Sequence, residues 1–147
     1  MILNGKKKLV TYLTNKTGTT SVKGQVVVQY ADLDDAYIAA PAGTILAMGV
    51  VLQGGIAGDA KVPICTFGRC QVLFPIDAGS TRGNWASVHV SDAGMASSAY
   101  NALGDIFAQG LGMVHETVAS SPSSPILVWI DFVPSKSKDI PVASGES

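Results

Sequence analysis

Charge is scarce in this 147-residue chain: Asp, Glu, Lys and Arg make up 14% of it, against roughly a quarter in ordinary soluble domains. The formal net charge is −1, so the chain as a whole exerts no pull on nucleic acid or an anionic membrane. Long apolar runs are also missing, and no stretch approaches the roughly 18 residues that a membrane-crossing helix needs. Met1-Ile2-Leu3-Asn4-Gly5 is too short for the apolar region of a secretion signal, and the lysines follow it rather than precede it. Synthesis in a cytosol is therefore expected. A surface so poor in charge suits burial against other chains, because contact cores are depleted of charge.

The groups that do chemistry are equally few. His89 and His115 are the only imidazoles, and Cys65 and Cys70 the only thiols. Two thiols with distant histidines cannot complete a structural zinc site. Asp32, Asp34 and Asp35 lack the spacing and distal Glu of a calcium loop. There is no nucleophile elbow, H-E-x-x-H or P-loop. Gly104-Asp105 and Gly110-Leu111-Gly112 do not follow a strand and open a helix, as a dinucleotide site requires. His115 and Glu116 are neighbours on an expected strand, so their side chains point to opposite faces and cannot form a dyad with each other. The expectation is a non-enzymatic protein with no cofactor and no metal. The aromatics are dispersed rather than interleaved with basic residues, which disfavours single-stranded nucleic acid as a partner. Arg82 beside Trp85 is the one suggestive pair, with a capped or salt-bridged turn as the plainer reading.

Short alternating runs punctuated by glycine fill the chain. Residues 44–74 carry three apolar segments: Ile45–Leu52, then Val62, Ile64 and Thr66, then Val72 and Phe74. Period-two alternation bounded by Gly and Asp predicts half-buried antiparallel strands. Phe67-Gly68 reads as a hairpin turn. That turn would set Cys65 opposite Cys70, close enough for a disulfide. A reducing cytosol favours two free, packed thiols instead.

Further strands are predicted over Leu9–Leu13, Gln25–Tyr30, Ala36–Ala39, Ala86–Val90, Leu111–Ala119 and Ile126–Val133. On the fifth of these runs, Leu111, Met113, His115 and Thr117 should share one face. Pro134 ends the last strand, since proline cannot donate to a ladder. Residues 97–110 read as an exposed loop with at most a turn of helix, bearing Tyr100 and Phe107 at helical spacing. The reading is an all-β domain, a small antiparallel β-barrel or β-sandwich of about eight strands, spanning residues 9–134. Extended arms flank it, residues 1–8 with Lys6, Lys7 and Lys8, and residues 135–147. The three lysines are either simply solvated or a basic arm reaching onto an acidic partner.

The order of phrases is familiar. N-K-T-G at Asn15–Gly18 is followed by S-V-K-G-x-V-V at Ser21–Val27 and G-V-V-L-x-G-G-I-A-G at Gly49–Gly58. Then come V-L-F at Val72–Phe74, S-T-R-G-x-W at Ser80–Trp85, L-G-x-V-x-E-T-V at Leu111–Val118 and a closing D-F-V. This series, over roughly residues 14–133, resembles the capsid decoration or head-stabilising proteins of tailed bacteriophages. The resemblance implies a virion structural protein made in the host cytoplasm and seated on the capsid exterior. Its partners would be the major capsid protein and further copies of itself, with a trimer favoured, and it would contact neither nucleic acid nor membrane directly. Lys6, Lys7, Lys8, Arg82, Trp85, Tyr100 and Phe107 are the candidate contact residues. The alternatives are a minor tail or connector component, or a carbohydrate- or receptor-binding module using Trp85 with Asn84 or Tyr100 with Asn101.

Overall fold

Five strands close on themselves, and four more extend from the fifth. A computed structural model describes residues 8–89, 91–97 and 109–133. These form β1 (Lys8–Asn15), β2 (Val26–Gln29), β3 (Ala36–Ala39), β4 (Gly49–Val51), β5 (Lys61–Phe74), β6 (Trp85–Val88), β7 (Ala96–Ser97), β8 (Gly110–Val114) and β9 (Ile126–Phe132). The order in the sheet is β1-β3-β2-β4-β5-β9-β8-β6-β7, and β1 also pairs with β5. The first five strands are therefore a ring. Direction cannot alternate at every step around an odd-numbered ring, so one neighbouring pair must be parallel. That pair is β1 and β3, through Thr14 opposite Ala36 and Asn15 opposite Tyr37. The expected all-antiparallel sheet is thus a mixed one of nine strands, with this single parallel pair among the described residues.

Two cores follow from the ring. Leu13, Val27, Tyr37, Val51, Val62 and Ile64 fill its interior. Val26, Val28 and Val50 face outward from the same strands and meet Cys65, Cys70, Val72, Phe74, Leu111, Val114, Val128, Ile130 and Phe132 in the second core. Strands β2 and β4 are thus buried on both faces. This explains why they read as unbroken valine runs rather than as alternation. Each such side chain stabilises the fold by roughly 1.5–3 kcal/mol as an upper estimate.

The Phe67-Gly68 hairpin does not exist. Strand β5 runs unbroken from Lys61 to Phe74. Its first half pairs with β1 and β4, and its second half with β9. A register shift opposite Leu9 and Val10 leaves Thr66 as an extra residue, and Gly68 has φ 108°. A bulge and a positive-φ glycine bend a strand as readily as they close a turn. The bend carries β5 from the ring into the outer sheet. Gly24 braces it, donating to Val51 O at 2.8 Å and accepting from Leu73 N at 2.9 Å. Cys65 and Cys70 consequently lie on one strand, not on facing strands, and both are free and fully buried.

Other boundaries also differ. Only Gly49–Val51 of the Ile45–Leu52 run is strand. Before it, Ala47 is tied to the buried Gln109 side chain, with its N–H on Oε1 at 2.8 Å and its carbonyl accepting from Nε2 at 3.2 Å. Strand β8 stops at Val114, five residues short of Ala119. Within it Leu111 is buried while Met113 is exposed, so the expected shared face is broken. The cause is a bulge: Ala86 pairs with Gly112 and Ser87 with Gly110, leaving Leu111 between them. Gly112 has φ 144°, and a Cβ there would fall inside the Asp131 carbonyl. Lys8 belongs to β1 rather than to an arm. Val90, the loop with Tyr100 and Phe107, and the arms with Lys6 and Lys7 lie outside the described residues. No helix among the described residues is long and apolar enough to cross a membrane.

Candidate interaction face

The outer surface of the β5-β9-β8-β6 sheet gathers the residues best suited to contact. Beyond the bend, β5 alternates strictly: Cys70, Val72 and Phe74 turn into the core, while Phe67 and Arg69 turn out. The ladders then set a row across four strands. Arg69 is opposite Asp131, Asp131 opposite Met113, and Met113 opposite Trp85. Phe67, Met113 and Val133 are exposed by 43%, 42% and 45%, large values for apolar side chains on an ordered sheet surface.

A charged cluster sits in the middle of this row. Arg69 Nε donates to Asp131 Oδ1 at 2.9 Å, and His115 Nε2 lies 2.5 Å from Asp131 Oδ2. The carboxylate can only accept, so Nε2 carries the proton. The 3.4 Å approach of Arg69 Nη2 to the same Nε2 is then proximity, not a second hydrogen bond. Partial burial works against the charge on Asp131. The hydrogen bonds from His115 and Arg69 outweigh it and hold the carboxyl below its ordinary range. Glu116, on the next residue, turns elsewhere and accepts from Trp129 N–H at 3.1 Å. His115 and Glu116 thus act separately, although both lie beyond the end of β8 and not on the strand expected for them.

The structure joins Arg82 and Trp85 to this face. Arg82 sits on an exposed turn whose N–H donates to Thr117 Oγ1 at 3.0 Å, while its Nε points to His115 O at 3.4 Å. It is the capped turn of the plainer reading, placed beside the cluster. The Trp85 indole N–H is buried and finds no acceptor among the described residues. Lys8 is a ladder partner of Gly68, while Lys6, Lys7, Tyr100 and Phe107 lie outside the described residues. Sequence reading missed Arg69, Met113, His115 and Asp131 as a group. Their union depends on a strand bend and a bulge, which no spacing rule reveals.

Lys8 and Phe132 are both ladder partners of Gly68. Lys8, at the start of β1, and Phe132, at the end of β9, therefore lie within one or two strand spacings of a single residue, or about 5–10 Å. Exposed Phe67 and Val133 adjoin that point.

One other concavity is open on the ring. A cleft of about 350 Å³ is lined by Asn15, Lys16, Gly18, Tyr30, Gly58 and Asp59. Lys16 Nζ and Asp59 Oδ1 pair across it at 2.7 Å. The Asn15 side chain is fully committed, to Thr17 N and Oγ1 and to the Thr19 and Ile56 carbonyls. No cluster of three or more His, Cys, Asp or Glu among the described residues could hold a metal ion.

No protein-family profile matches the chain, and no curated protein matches it significantly.

Proposed function

We propose that this is a non-enzymatic virion structural protein that binds the outside of a phage capsid lattice and stabilises the head. The observation that carries the reading is the composition of the outer sheet face. Phe67, Met113, Val133 and Trp85 surround an Arg69–Asp131–His115 cluster on a rigid four-strand platform. Trp, Phe, Met and Arg are the residues enriched where proteins meet, and Trp and Arg dominate contact energies. The scarcity of charge and the ordered series of sequence phrases point the same way. The partners are the major capsid protein and other copies of this chain, with a trimer favoured.

The physical role is mass action: a ligand that binds only the assembled shell stabilises that shell. Many copies act together, so modest contact per copy suffices. The placement of Lys8 and Phe132 on either side of Gly68 supports a role for the flanking residues 1–7 and 134–147 as auxiliary contacts. Purified protein mixed with capsids lacking it should co-sediment and saturate at a fixed stoichiometry. Removing both terminal segments should lower occupancy while leaving the β-domain folded. Protein that never sediments with capsids at any concentration overturns the reading.

The Tyr30 cleft supports a second reading, as a glycan-binding module. It brings an aromatic ring, an acid and an ammonium to one shallow site, the mix that sugar recognition uses. Saturation-transfer NMR against a glycan panel, with Tyr30→Ala as control, separates the two.

A further inference from the structure

We infer that Cys65 and Cys70 are a thiol pair poised to form an intrachain disulfide that staples the bend of β5. Five residues along a straight strand span about 16 Å, far beyond the 4.4–6.8 Å between Cα atoms that a disulfide allows. Strand β5 is not straight. The extra residue Thr66 and the positive φ of Gly68 fold it between the two cysteines. Gly24 shows how far the fold goes. It bonds Val51, the ladder partner of Ile64, and also Leu73, on the far half of the same strand. The concave side of the bend faces the second core, and both cysteines belong to that core. Cys65 Sγ reaches across the inside of the corner, 3.5 Å from Phe67 O and 3.9 Å from Gly68 O, the latter only two residues from Cys70.

Either thiol can attack first, leaving the other to resolve. When Cys65 is first, with a small disulfide such as oxidised glutathione, Cys65 S⁻ attacks one sulfur and releases one glutathione thiolate, which takes up a proton. Cys70, losing its proton, then attacks Cys65 Sγ of the mixed disulfide and releases the second glutathione. Two protein S–H groups are lost, one S–S bond forms, and the oxidant is reduced to two thiols. Both sulfurs are fully buried, so the exchange is gated by opening of the bend and is slow. A chain made in a reducing cytosol carries thiols, and one moved to oxidising surroundings gains the staple. This inference is independent of the capsid reading.

The test uses the intact chain. Arg69 lies between the cysteines, so trypsin separates peptide 62–69 from peptide 70–82 unless a disulfide joins them. The protein is equilibrated in glutathione buffers of graded poise, natively and in urea, then acid-quenched, alkylated and digested. The native protein should yield the joined pair from monomeric species, reversibly with dithiothreitol. Its equilibrium constant should exceed that of the urea-unfolded chain by about tenfold or more, or about 30 mV. In both Cys70→Ser and Cys65→Ser the joined pair should be lost, the remaining thiol going no further than the mixed disulfide with glutathione. Equal constants in native and unfolded protein, or two cysteines that remain separately alkylated at every poise, overturn the proposal.

Discussion

His115 Nε2 grips one oxygen of Asp131 at 2.5 Å while Arg69 Nε grips the other at 2.9 Å. Two donors on one carboxylate depress its pKa, and a depressed carboxylate makes stability depend on pH in one direction. The contribution is fully present above the ordinary carboxylate value, near about pH 4. It is lost as pH falls through the lower folded value. Asp131→Asn should therefore cost stability at neutral pH, and the gap to wild type should close in acid. Asp131 is 44% exposed at its side chain, so solvent screening keeps the effect small. Urea midpoints of both proteins between neutral and strongly acid pH check this. A gap that stays constant to the lowest pH contradicts the linkage.

Asp131 is also the residue against which Gly112 packs. A Cβ at Gly112 would overlap the Asp131 carbonyl, and φ 144° is closed to other residues. Gly112→Ala should cost about 3 kcal/mol or more, the upper range for a strained backbone position. Gly58→Ala is the control, because only the Thr19 carbonyl lies near its Cβ, at 3.9 Å. It should change stability by no more than about 0.5 kcal/mol. Chemical denaturation of both variants, with Trp85 and Trp129 as fluorescent reporters, gives the comparison.

Much of the fold is legible in the chain because local chemistry and tertiary structure agree. Ala36–Ala39 is a strand in both readings, and Val128, Ile130 and Phe132 point inward as their alternation requires. Two of the misreadings share one cause, a glycine whose positive φ has two uses. Gly68 closes a hairpin on paper and bends a continuous strand in space. Gly112 makes a bulge that reverses the side-chain faces after Leu111. The parallel pairing of β1 with β3 was out of reach of any window of residues, because it follows from closing an odd ring. For the interaction face, Arg82 and Trp85 stood out by adjacency. Arg69, Met113 and Asp131 come from three strands, with His115 just past the end of β8, and they meet only through register.

Tyr37 carries a fault line inside the ring. It is fully buried, and its hydroxyl has no partner among the described residues. Burial pushes its pKa up to about 12. A raised folded value means that stability is fully present below the ordinary tyrosine value near pH 10 and is lost as pH rises towards 12. Tyr37→Phe removes both the unpaired hydroxyl and the titration. It should raise stability at neutral pH by about 1 kcal/mol, at the low end of the cost of an unsatisfied buried group. It should also flatten the alkaline limb of the stability profile. Urea midpoints at neutral pH and above pH 10 check both effects, and a destabilised variant would reveal a partner for the hydroxyl.

Phe67 separates the proposed contact face from ordinary surface apolarity. It is exposed at the outside of the β5 bend, one residue from Gly68, where Lys8 and Phe132 meet. Leu46 is more exposed, at 72%, but lies in the segment before β4, remote in the ladder from the Arg69–Asp131–Met113–Trp85 row. If exposure alone drove capsid association, Leu46→Ser would do the greater damage. If the outer sheet face is the contact, Phe67→Ser should weaken capsid binding by tenfold or more, the effect of losing about 1.4 kcal/mol at a contact centre. Leu46→Ser should leave binding within about twofold. Both positions are solvent-facing, so both variants should keep the wild-type urea midpoint to within about 0.5 kcal/mol. Sedimentation isotherms on capsids lacking the protein, measured beside those midpoints, distinguish lost contact from lost fold. Equal weakening by the two variants would assign the binding to general stickiness and not to the face built on β5, β9, β8 and β6.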